Sequence, residues 1–216
     1  MTIQNGSSPK DKGSSGMETN SDFLPNITVD EIRTLELKSF DGEIVLADDI
    51  NEFRTAIRRF RNSPVLGFDT ETRPSFKKGR KNKVSLIQLS DNKFACLIRI
   101  NKIGLPDELV EILSDPKIIK AGVAIHDDIK SLVNIRKFQP EGFVDLQKYV
   151  KDFGIESSGL KKLTAIVLGF RISKSQQVTD WEAVQLSEPQ QLYAATDAWV
   201  CHEIYCKLEK YKLNNQ

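Results

Sequence analysis

A chain of 216 residues with 39% hydrophobic content can build the core of one large domain, and a formal charge of +1 excludes a strongly basic or acidic protein. No run approaches the roughly 18 apolar residues of a membrane span. The N-terminus lacks the basic-then-apolar plan of a signal peptide, so a soluble, intracellular protein is expected. Cys96, Cys201 and Cys206 fall at spacings that suit neither a metal site nor a disulfide framework and read as reduced core thiols.

Residues 1–22 are Ser, Gly, Asn and Lys with almost nothing apolar, and cannot offset the entropy of ordering. They are expected to form a disordered tail, followed by an N-terminal extension over 23–42. Glu43–Ala47 then reads as a short strand, Asp48–Phe60 as a capped helix and Val65–Glu71 as a buried strand. Val84–Ser90 and Lys93–Ile98 read as strands around an Asp91-Asn92 hairpin turn. The pattern next predicts a helix over Pro106–Leu113, a strand over Ile118–Val123, a helix over Asp127–Ile135 and a strand over Phe143–Leu146. Gly159–Leu168 reads as a helix stopped by Gly169, and Glu188–Tyr211 as a long terminal helix before a short tail, 212–216. Strands and a hairpin followed by alternating strands and helices imply an α/β fold, a mixed five-stranded sheet with helices on both faces.

Three stretches carry acids in unusual settings. "GFDTET" (67–72) places Asp69 and Glu71 two apart at the end of a buried strand, so both point to one face. Side by side on a low-dielectric edge they repel unless cations or donors separate them; a divalent metal answers this, and so does a solvated strand end. In "KAGVAIHDDIKSL" (120–132), Asp128 sits where a helix begins, as a site carboxylate or as a plain cap. In "LYAATDAWV" (192–200), Tyr193 and Asp197 are four apart and share a helical face among Leu192, Ala194, Ala195, Ala198 and Trp199. Asp197 is poorly solvated there and needs a partner. His126 and His202 lack a ligand partner at a metal-site spacing and read as core or surface residues. Lys77, Lys78, Arg80, Lys81 and Lys83 crowd one short run, with Arg54, Arg58, Arg59 and Arg61 upstream; such runs are solvated surface or a phosphate contact.

In their order, "FDTET", "GVAIHDDIKSL" and "YAATDAW" resemble the three motifs of the DEDD 3′–5′ exonuclease superfamily, which has a ribonuclease H-like fold. The likeness, to ribonuclease D and the exonuclease domain of the Werner syndrome helicase, continues through "FVDLQKYV", "GLKKLTAIVLG" and "KSQQVTDWEAVQLSEPQQLYAATDA". It covers about Glu43–Leu208 and sets an exonuclease domain at 43–211. The resemblance implies that Asp69, Glu71, Asp128 and Asp197 hold two divalent ions, Mg²⁺ or Mn²⁺. Asp128 is preferred to Asp127 because Leu132 follows it by four. Tyr193, four before the last acid, implies the tyrosine branch of the superfamily and a role in orienting the attacking water. Asp145 matches a frequent aspartate with a supporting or structural role. Lys174 matches a frequent lysine, and with Lys77, Lys78, Arg80 and Lys81 it is expected to hold the nucleic-acid backbone.

The reaction so implied is stepwise hydrolysis from the free 3′ end of single-stranded or 3′-recessed nucleic acid, releasing nucleoside 5′-monophosphates, with DNA slightly favoured. Two other readings stand beside it: an exoribonuclease trimming RNA 3′ ends, and a catalytically silent nucleic-acid-binding scaffold. The intact acids and tyrosine argue against the scaffold.

Overall fold

In the computed structural model, which describes residues 22–73 and 83–215, the hydrophobic runs pair into one six-stranded sheet. Its strands are β1 (Glu43–Ala47), β2 (Val65–Thr72), β3 (Val84–Ser90), β4 (Phe94–Ile98), β5 (Ile119–Gly122) and β6 (Phe143–Asp145). Their spatial order is β1-β4-β3-β2-β5-β6. β2, β3 and β4 pair antiparallel in sequence, while β1 joins β4, β5 joins β2 and β6 joins β5 in parallel. The sheet therefore has one strand more than the five expected. Each of the six apolar runs finds a partner, including the three-residue β6, which pairs along Lys120–Gly122 and extends that edge.

The helices are α1 (Val29–Thr34), α2 (Ile50–Ile57), α3 (Ile100–Ile103), α4 (Asp107–Ser114), α5 (His126–Ile135), α6 (Leu146–Tyr149), α7 (Leu160–Leu163) and α8 (Glu188–Asn214). α2 starts where the Asp49 carboxylate accepts from the N–H groups of Asn51 and Glu52, and its last turns tighten to a 3₁₀ helix over Arg58–Asn62. The run expected as one helix over Gly159–Leu168 divides into α7 and a π-helical turn that ends at Gly169, whose φ of 80° suits glycine. A capping box between Ser187 and Gln190 opens α8. Among the described residues, no helix is long and apolar enough to cross a membrane.

Alternation along β2 sorts the core into two layers. Leu66 and Phe68 face Phe53, Phe60, Leu109, Leu113 and Leu132, which α2 and its 3₁₀ extension, α4 and α5 bring to one side of the sheet. On the other side, Leu86, Ala95 and Leu97 meet Ala194 and Ala195 of α8 together with Trp181 and Leu186. Ala121 meets Cys201, Ile204 and Leu208 farther along the same helix. Full burial of each large apolar side chain contributes about 1.5–3 kcal/mol. α8 lies close enough that a Cβ added to Gly67 would sit 1.8 Å from the carbonyl oxygen of Ala198. Only glycine at that point of β2 lets the helix approach.

The N-terminal extension is strapped to this body. Glu156 and Ser157 donate their N–H groups to the Pro25 carbonyl, Leu37 bridges Arg171, and the Phe40 N–H donates to Thr196 Oγ1 at 3.1 Å. Residues 1–21 of the expected tail lie outside the described residues.

Candidate active site

β2 pairs with β5 only as far as Gly67 and Ala121, then continues against β3 alone, with Asp69 opposite Gln88 and Glu71 opposite Leu86. The stretch bearing the two acids thus leaves its β5 side open. Gly67 brings Ala198 down onto the strand, and Asp197 arrives with it. The three carboxylates of Asp69, Glu71 and Asp197 offer oxygens that all lie within 4.8 Å of one another. Asp197 is buried, while Asp69 and Glu71 are half-buried at the cavity floor.

Electrostatics follow from this crowding. Burial, then the neighbouring charge of Asp197, pushes Asp69 well above the usual carboxylate range, against a hydrogen bond from the Thr70 backbone. Burial and the charges of Asp69 and Asp197 push Glu71 up to about 9. Burial raises Asp197 to about 7, opposed by its hydrogen bond with Tyr193 and by the charge of Lys161. Tyr193 is also raised by burial and by the carboxylates of Asp197 and Glu71, so its phenol keeps its proton at neutral pH and acts as a donor.

Asp128 is brought beside this trio without joining it. Thr70 points to the opposite face of β2 from Asp69 and Glu71, and its hydroxyl donates to Asp128 Oδ1 at 2.7 Å. Asp128 therefore abuts the strand from the α5 side, and its charge still raises both Asp69 and Glu71. Asp127 is exposed in the same helical turn. Asp145 caps α6 by accepting from the Gln147 N–H at 3.0 Å and also accepts from the Ala124 N–H at 3.1 Å. Ala124 has a φ of 59°, a left-handed conformation that costs an alanine about 1 kcal/mol, so Asp145 pins the strained link that leads into α5.

Asp69, Glu71 and Asp197 line a cavity of about 670 Å³ together with Tyr193, Lys161, Lys162 and Lys174. Lys174 thus shares the cavity with the three acids. Lys161 was missed: "GLKKL" reads only as the start of a helix, and the fold sets Lys161 near Asp197 and Lys174. Burial and the Lys174 charge lower its proton affinity, and Asp197 opposes them. Asn26, from the N-terminal extension, also lines the cavity and donates to Glu156 at 2.7 Å. Lys77, Lys78, Arg80 and Lys81 lie outside the described residues. The upstream arginines stand elsewhere: Arg54 pairs with Glu108 at 2.7 Å, Arg59 with Glu43 at 2.6 Å, and Arg58 and Arg61 flank a hollow beside α4.

Three oxygen donors whose charges are held together against burial and mutual repulsion fit a hard divalent cation, which relieves both costs at once. Carboxylates and lysines lining one cavity are what a nuclease needs to hold a cation and a phosphate backbone. The chain belongs to the 3′-5′ exonuclease family, whose profile matches residues 44–212. It is 34% identical over 156 residues to the bifunctional 3′-5′ exonuclease/ATP-dependent helicase WRN of Mus musculus, an alignment covering 69% of this chain and 11% of that protein. It is 31% identical over 158 residues to ribonuclease D of Shewanella sp. (strain ANA-3), covering 70% of this chain and 39% of the relative. The chain thus spans well under two thirds of these relatives.

The crystal structure of Escherichia coli RNase D, described as an exoribonuclease involved in structured RNA processing, superposes with a TM-score of 0.70 at 27% identity, covering 81% of this chain and 46% of that one. The Aedes aegypti Nibbler EXO domain shares the fold, with a TM-score of 0.71 at 24% identity over 83% of this chain and 94% of that one.

Proposed function

We propose that the cavity hydrolyses phosphodiester bonds at the free 3′ end of single-stranded or 3′-recessed nucleic acid, releasing nucleoside 5′-monophosphates, with DNA ahead of RNA. The observation that carries this reading is the trio of carboxylates within 4.8 Å, sharing one cavity with Lys161 and Lys174. Asp69, Glu71 and Asp197, with Asp128 behind them, would hold the Mg²⁺ or Mn²⁺ ions, two in number. When bound, these ions supply Lewis-acid activation of water and compensate charge on the phosphate and the departing 3′ oxygen.

The chain's own groups do the rest. Tyr193, a protonated phenol beside Asp197, orients the attacking water through its hydroxyl and is a poor base. Lys161 and Lys174 hold backbone phosphates, so binding is tolerant of sequence and weakens with salt. Lys77, Lys78, Arg80 and Lys81 extend that grip beyond β2, and residues 43–211 form the exonuclease domain.

DNA is favoured by similarity to a relative named as an exonuclease and helicase and, at 30% identity over 155 residues, to DNA polymerase I of Aquifex aeolicus (strain VF5). Similarity to ribonuclease D supports RNA 3′ ends as the second reading. Digestion of 5′-labelled single-stranded DNA, 3′-recessed DNA and matching RNA in Mg²⁺, Mn²⁺ or EDTA tests the proposal. A metal-dependent ladder that shortens from the 3′ end, faster on DNA, is expected. Faster RNA trimming selects the second reading, and binding without a ladder under either metal overturns catalysis altogether.

A further inference from the structure

Beyond Asp197, α8 carries a second group of reactive side chains. His202 and Cys206 are four apart and share a helical stripe, with Cys206 Sγ 3.5 Å from His202 Nε2. The other ring nitrogen, Nδ1, lies 3.0 Å from Glu203 Oε1, an ion pair in which the imidazole side chain is only 12% exposed. Glu203 fixes the ring and leaves Nε2 turned to the sulfur. Burial alone would lower the imidazole, but Cys206 and Glu203 outweigh it and raise His202 to about 9. The ring's Nε2 lies within hydrogen-bonding reach of the sulfur.

Beside the sulfur runs a groove of about 510 Å³, lined by Phe23 and Tyr211, by Lys207 and Lys210, and by Glu203, whose charge is engaged with His202. The other two cysteines are different. Cys96 and Cys201 are buried, and burial raises the Cys96 thiol to about 12 and Cys201 well above its ordinary value. The expectation of three core thiols thus holds for two, while half-buried Cys206 opens on a groove.

We propose that Cys206 is an exchange-competent thiol that accepts a small carboxylate-bearing disulfide from this groove and retains half of it as a mixed disulfide. Cys206 sulfur attacks one sulfur of the disulfide, the S–S bond breaks, and the second half leaves as a thiolate with the bonding electron pair. That thiolate takes up the proton the Cys206 thiol releases, so the incoming disulfide is the sole oxidant. His202 donates its N–H to the negative charge that gathers on Cys206 during attack, and Lys207 and Lys210 meet the carboxylates.

The test incubates the full chain with oxidised glutathione or with cystamine, a cationic disulfide, and follows adducts by intact mass and peptide mapping. One adduct, on Cys206, is expected, forming faster with glutathione and absent in Cys206→Ser, whose exonuclease activity is unchanged. His202→Asn should slow it about tenfold. Glu203→Gln, which keeps the ring but loosens its anchor, should slow it less. Lys207→Glu with Lys210→Glu should reverse the preference between the two disulfides. Adducts on Cys96 or Cys201 in the folded chain, an unchanged rate in both the His202 and Glu203 variants, or equal rates with the two disulfides would overturn the proposal.

Discussion

On one face of β2, Leu66 and Phe68 sit among phenylalanines and leucines from three helices; on the other, Gly67, Asp69 and Glu71 lie under the alanines of α8. The first face is packed for stability. The second has small residues that admit a backbone rather than side chains that fill space, and it gathers like charges in a poorly solvated spot. One strand with alternating faces thus serves both purposes, and substitutions one residue apart should separate them.

The largest difference lies in turnover. Asp69→Ala and Asp197→Ala should each reduce hydrolysis about a thousandfold or more while leaving the far-ultraviolet circular dichroism spectrum unchanged. Near-normal turnover in either would break the assignment. Phe68→Ala, one residue from Asp69 but facing the other way, should cost about 4 kcal/mol in urea unfolding. Gly67→Ala forces a Cβ against the Ala198 carbonyl and should cost about 3 kcal/mol, with activity falling because Asp197 is moved. Tyr193→Phe should lower kcat about tenfold to a hundredfold with little change in KM; an effect confined to KM would refute its role in orienting water.

A further effect is on stability against pH. Folding raises Glu71 from 4.5 to about 9 and Asp197 from 3.8 to about 7. Between the unfolded and folded values the folded chain binds more protons, so the metal-free protein should lose stability as pH rises through about 4 to 9. Melting curves across that range should show the decline, flatter in Asp69→Asn, and added Mn²⁺ should restore stability most at the alkaline end.

Period-two alternation made the shared face of Asp69 and Glu71 legible in the sequence, and the four-residue step did the same for Tyr193 and Asp197. Both rest on local geometry, which a strand or helix enforces by itself. Relations across elements were less legible. That Asp128 approaches β2 from the Thr70 side depends on which face α5 covers. Lys161 meets the acids only because the segment around α7 folds back over the cavity, and the Phe143 run, legible as a strand by itself, becomes the sixth member of the sheet through its pairing with β5. Cys206 was read as core because its spacing says nothing of the groove beside it.

The central claim is that Asp69, Glu71 and Asp197 act together as a divalent-cation site. Mn²⁺ binding by calorimetry at pH 8, in the wild-type chain and in Asp69→Ala, tests it most directly. The account predicts saturable binding with proton release in the wild type and loss of that binding in the variant with its fold intact. Equal Mn²⁺ affinity in the two proteins would contradict it.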